Sequence, residues 1–158
     1  MRPGARARRI LNLAWALLLG GCTGPPDRPA SMGTLPACGW LPNCVNTQSG
    51  EGVHAAEPIR ADAEEWKALK AWLAEQEDWD IRIEEERFVQ AVVKTPVMRF
   101  RDDVQLLFIP EQQLIHVRSS SRLGIGDLGT NAQRVELLRS RVGRQGHVWS
   151  GDRSDGSK

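Results

Sequence analysis

Asp102-Asp103-Val-Gln-Leu-Leu-Phe-Ile109-Pro-Glu-Gln-Gln-Leu114-Ile-His-Val-Arg118-Ser-Ser-Ser121 holds two strand-like runs about a polar turn. A tight turn at Glu111-Gln112 and a loop over 110–113 predict the same register, with Ile109 opposite Leu114. Side chains alternate along strands, so Phe108 then faces Ile115, Leu106 faces Val117 and Val104 faces Ser119 on one inward face. Continued, the register sets Asp102 opposite Ser121, with Phe100 next. A carboxylate at the end of an apolar row needs a partner, and Arg118 or Arg122 reaching over the strand edge is the expected one. Arg101, Asp103, Arg118, Ser120 and Arg122 fall on the outward face. A β-bulge at Asp102-Asp103 would exchange some of these places.

Working upstream, a strand is expected over 97–109, interrupted before it by Pro96, and another over 88–94. Trp79, Ile81 and Ile83 alternate with polar residues, a half-buried strand, and Glu84-Glu85-Glu86 reads as a solvated turn rather than a cation site. Before these, Asp62 with Glu65 forms a capping-box start, and Trp66, Leu69, Trp72, Leu73 and Gln76 follow at helical spacing. Downstream, Thr130 as N-cap with Gln133 opens a second helix whose apolar face is marked by Leu128, Val135, Leu138 and Val142. The architecture expected is α+β: a single small domain, an antiparallel four-strand meander flanked by an N-terminal and a C-terminal helix.

The ends of the chain read differently. Arg2, Arg6, Arg8 and Arg9 precede a short apolar stretch that ends in Leu19-Gly-Gly-Cys22. This predicts a lipoprotein signal peptide over 1–21 and a lipidated Cys22. Residues 22–37 carry Pro25, Pro26, Pro29 and Pro36, a tether composition. The packed domain is placed at 38–142, and 143–158 is a polar tail expected to be disordered. Of 21 basic residues the leader takes four, leaving 17 against 20 acidic, a formal charge of −3. That balance argues against nucleic acid as a partner. The membrane is expected as a partner through the lipid, with the domain facing the periplasm. Thr23, in place of Asp, favours the outer membrane.

Cys38 and Cys44 remain after Cys22, and in an oxidising compartment they read first as a disulfide. Free thiols are the alternative. A metal site lacks soft ligands nearby, since His54 is the only histidine within reach. No cofactor and no metal are expected.

The segment after the hairpin gathers arginines, hydroxyls and a carboxylate. Gly124-Ile-Gly-Asp-Leu-Gly129 matches a dinucleotide-binding pattern literally. It lacks the second parallel strand and acidic residue that such a unit requires. Two readings stay open. In one, the helix N-terminus with Arg122 and Arg134 holds an anion. In the other, Asp127 caps the loop and the arginines pair with Asp102, Asp103 and Asp127. Candidate binding residues are Arg118, Ser119, Ser121, Arg122, Gly124, Asp127, Asn131, Arg134, Asp102 and Asp103, with an anionic small molecule or an envelope protein as partner. No catalytic residue is assigned. The enzymatic alternative is a small hydrolase that uses a serine of 119–121 with His116, although His116 is expected on the outward face.

Residues 38–48 (Cys-Gly-Trp-Leu-Pro-Asn-Cys-Val-Asn-Thr-Gln), Phe100-Arg-Asp-Asp-Val104 and Val117-Arg-Ser-Ser-Ser-Arg-Leu-Gly-Ile-Gly-Asp-Leu-Gly-Thr-Asn-Ala-Gln-Arg-Val-Glu136 resemble the domain-of-unknown-function family numbered 1499. The resemblance covers roughly residues 36–142. It implies motif positions at Arg118, Ser119, Ser121, Arg122, Gly124, Asp127, Gly129 and Asn131. The chain departs from the pattern after Cys44, where Asn46-Thr47 replaces serines. The resemblance carries no established activity, and it implies an exported or lipid-anchored setting.

Overall fold

In the computed structural model, which describes residues 33–95, 100–124 and 126–145, the hairpin forms as its alternation predicts. Strands β1 (Cys44–Asn46), β2 (Ile59–Arg60), β3 (Trp79–Glu84), β4 (Phe88–Lys94), β5 (Arg101–Ile109) and β6 (Leu114–Ser121) make one sheet, with helices α1 (Ala63–Ala74) and α2 (Thr130–Gln145). The register pairs Asp102 with Ser121, Leu106 with Val117 and Ile109 with Leu114, with no bulge at Asp102-Asp103. Gln113 closes the turn at φ 53.

The meander β3-β4-β5-β6 is antiparallel throughout, an α+β arrangement. Two short strands extend it at the β6 edge. β1 pairs with residues 118–120 and β2 with 114–115, so they lie end to end along one edge. Cys44 of the disulfide loop and the two residues after it therefore form part of the sheet. The start of a strand at 97–99 lies outside the described residues, as do the signal peptide, Cys22 and the tail from 146.

Both helices pack on the inward face. Trp66, Leu69 and Leu73 of α1 and Val135, Leu138 and Val142 of α2 close over Val89, Ala91, Val104, Leu106, Phe108, Ile115 and Val117. Asp62 Oδ1 accepts from Glu65 N and Glu65 Oε2 from Asp62 N, the reciprocal cap read from the spacing. Trp66 stacks on Phe108, Trp72 meets Trp79 edge-on, and the Arg141 guanidinium sits 5.0 Å from the Trp72 ring centre, which ties α2 to α1.

The opposite face has its own small core: Leu35, Phe88 and Leu107, with Ile83 and Ile109 against them. Ile83 was expected beside Trp79 and Ile81. A register shift between Ile81 and Ile83 turns it to the other side, where Phe88 and Leu107 take it. Leu35, assigned to the tether, is buried, and Leu35 N donates to Gln48 Oε1 at 2.7 Å. The packed region thus begins before Cys38. At its other end α2 runs past Gly143 to Gln145. Among the described residues no helix is long and apolar enough to cross a membrane.

Candidate functional site

The loop from Arg122 to Gly129 turns the chain out of β6 and into α2, and three of its described residues are left-handed. Gly124 (φ 98) and Gly129 (φ 81) adopt this conformation freely, whereas Leu128 (φ 51) carries a side-chain penalty for it. The cap of α2 differs from expectation. Asp127, rather than Thr130, accepts from the helix start: its Oδ2 from Asn131 N and its Oδ1 from Gly129 N, both at 3.0 Å. Thr130 is already helical, and Leu128 lies outside the helix instead of marking its apolar face.

Behind this turn is a buried polar knot. Asn131 Nδ2 donates to Asn43 O (2.9 Å) and Ser121 Oγ (3.2 Å), while its Oδ1 accepts from Ser119 Oγ and Arg134 Nη1. Arg134 Nη1 also donates to Ser119 Oγ, and Nη2 donates to Asp102 Oδ2 at 2.7 Å. Asn43 Nδ2 returns to Ser121 O and Gly124 O. The disulfide between Cys38 and Cys44 closes the loop that presents Asn43. Buried polar groups linked this completely hold one geometry. Asp102 Oδ1 stands outside the knot: it is buried and meets no hydrogen-bond donor among the described residues.

Asp103, Arg118 and Arg122 lie on the far face, as alternation requires. Arg122 grips Asp103 with two hydrogen bonds, Nε to Oδ2 at 2.8 Å and Nη2 to Oδ1 at 2.7 Å. Burial pushes the Arg118 guanidinium below its ordinary value, and the nearby Asp103 charge opposes that. Burial likewise lowers His116 below 6.5, against a raising hydrogen bond with the Thr47 backbone. Where Thr47 stands in place of a serine, its hydroxyl still accepts from Val117 N at 2.8 Å.

A cleft of about 600 Å³ opens on the inward side between the ends of β4, β5 and β6, the loop and α2. Trp79, Val93, Asp102 and Arg134 line it, together with Phe100, Leu123, Leu128 and Leu137. Those last four are among the six large hydrophobics exposed in the described residues, and Leu128 is 99 % exposed. Apolar side chains left in water around one concavity, with a few polar groups converging inside, are the usual make-up of a ligand pocket.

The candidate residues are divided by the sheet. Asp102, Ser121, Gly124, Asp127 and Arg134 line the cleft, with Ser119 and Asn131 directly behind them. Asp103, Arg118 and Arg122 belong to the other side. Asp102 was expected to pair with Arg118 or Arg122; it pairs with Arg134, which α2 carries across the inward face. The arginines proposed for an anion are each occupied by a carboxylate, Arg122 by Asp103 and Arg134 by Asp102. His116 faces away from Ser119 and Ser121. Ser120 shares its face but lies four residues along the strand, roughly 13 Å, so no serine–histidine pair forms there. Phe100, Leu123 and Leu137 were not singled out for binding. The signal available was that apolar Leu123, Ile125 and Leu128 sit in a loop whose other residues are polar or glycine.

Among the described residues no group of three His, Cys, Asp or Glu is placed to hold a metal ion. No curated protein matches the chain. The model of the family described as "Protein of unknown function (DUF1499)" matches residues 34–142, which begins at the buried Leu35 segment and ends in α2. Well over half of the chain is matched, and the protein belongs to the DUF1499 family.

Proposed function

We propose that the protein is an exported, lipid-anchored binding module of the cell envelope, with the cleft over Asp102 as its ligand site. The observation that carries the binding reading is the gathering of Phe100, Leu123, Leu128 and Leu137 around one concavity. The Leu19-Gly-Gly-Cys22 ending and the basic leader support the lipid anchor, and the disulfide supports an oxidising compartment. An anion is less suited to the site than first expected, because Arg122 and Arg134 are neutralised in place. The hydrolase alternative loses the histidine expected for it, because His116 lies on the strand face opposite Ser119 and Ser121.

The full chain carrying Cys22→Ser, which avoids detergent, tests the cleft with the apolar fluorophore N-phenyl-1-naphthylamine. Saturable enhancement that is lost in Leu123→Ser/Leu137→Ser supports the reading, since neither side chain belongs to the buried core. Equal enhancement by the two proteins overturns it. The anchor is tested separately. Cys22→Ser moves the protein from the detergent phase to the aqueous phase, and an unchanged partition contradicts lipidation.

A further inference from the structure

We infer that the cleft takes a single-chain amphipath whose polar end is a hydrogen-bond donor, preferentially an ammonium, set against Asp102 Oδ1. This rests on the cleft reading above and names the ligand's chemistry.

The polar end is argued from what the cleft leaves unsatisfied. Asp102 is 1 % exposed, and its Oδ2 is engaged by Arg134 at 2.7 Å while Oδ1 has no donor. A buried carboxylate oxygen without a donor is costly, and a ligand N–H or O–H removes that cost on binding. Several of the other polar groups nearby are already used. Asp127 accepts from two backbone amides, Arg134 Nη1 serves Ser119 and Asn131, and Ser121 Oγ accepts from Asn131. A ligand carboxylate or phosphate set against Asp102 Oδ1 would bring an acceptor to an acceptor.

Charge points the same way. The ionisable residues that line the cleft are Asp78, Asp102 and Asp127 against Lys94 and Arg134, one negative charge in excess. A monocation balances it and a monoanion doubles it. The rest of the ligand is apolar by the same logic, because Phe100, Leu123, Leu128 and Leu137 offer hydrocarbon and no hydrogen bond. A volume of about 600 Å³ suits a small amphipath, since ligand pockets run from about 300 to 1,000 Å³.

Three ten-carbon probes below their micelle concentrations separate the possibilities: decylammonium, decanol and decanoate, titrated calorimetrically into the full chain carrying Cys22→Ser at pH 7.5. The expected order is decylammonium, then decanol, then decanoate, with about tenfold or more between first and last, the size of one charge-assisted hydrogen bond. In Asp102→Asn that ratio collapses, whereas Leu128→Ser weakens all three and leaves the ratio intact. Decanoate binding as tightly as decylammonium overturns the donor assignment while the cleft reading stands. A folded Asp102→Asn protein that keeps the ratio also overturns it. Absence of binding by all three probes overturns both readings. The wild-type ratio decides the matter even if Asp102→Asn does not fold.

Discussion

Arg134 Nη2 of α2 and Asp102 Oδ2 of β5 meet at 2.7 Å, with both side chains almost wholly out of solvent. The pair fastens the second helix to the sheet and leaves the other oxygen of Asp102, a residue that lines the cleft, without a donor. Stability and binding therefore converge on one carboxylate.

Removing it isolates a buried cation. Asp102→Ala is expected to cost about 3–5 kcal/mol, the range for breaking a buried pair from one side. Asp103→Ala also breaks a two-bond pair, but 20 % of the Arg122 side chain reaches solvent, so its loss should be smaller, about 1–3 kcal/mol. Urea melts rank the two. Equal losses, or a larger one at Asp103, contradict the placement of Arg134 over Asp102.

Leu128 combines a left-handed backbone with near-complete exposure. Leu128→Gly should raise stability by about 1 kcal/mol through relief of that conformation, net of glycine's greater freedom when unfolded. It should also weaken uptake of apolar probes by removing part of the rim. A thermal melt shifted downward, or unchanged probe affinity, contradicts this account of the residue.

Much of this arrangement was legible from local pattern, and its limits have physical causes. The β5–β6 hairpin declared itself because one register satisfies both the turn and the alternation of Leu106, Phe108, Ile115 and Val117. Strand β1 did not, since Cys44, Val45 and Asn46 are all buried and show no two-residue period. Ile83 broke the alternation through a register shift that no residue type announces. The partner of Asp102 lies 32 residues away on another element, and only the packing of α2 selects Arg134 over Arg118 or Arg122. The cleft was least legible, because its apolar rim comes from separate segments with no shared periodicity.

His116 supplies a pH signature. Burial lowers its pKa below the ordinary 6.5 in the folded chain. As pH falls through that value the unfolded chain takes up a proton and the folded chain does not, so stability present above pH 6.5 declines toward the lower folded value. His116→Gln should flatten this part of the profile above the carboxylate range, and denaturant midpoints from pH 7.5 to 5 check it. A wild-type midpoint that rises on acidification has the wrong sign.

The Cys38–Cys44 bond holds the short loop that carries Asn43 to Ser121 and Asn131. Its loss through paired Cys→Ser substitution should cost about 2 kcal/mol by the chain-entropy estimate for so short a loop. Reduction in place should match the substitution. A thermal transition insensitive to reductant would detach the bond from the stability of the knot.

The cleft over Asp102 is the proposed place of binding. Amide shift mapping of the full chain carrying Cys22→Ser, titrated with decylammonium, tests it most directly. Saturable shifts confined to Phe100, Asp102, Leu123, Gly124, Leu128, Gln133 and Leu137 are expected, with Arg118 and His116 on the far face unmoved. Shifts centred on Arg118 and His116, or none that saturate, would contradict it.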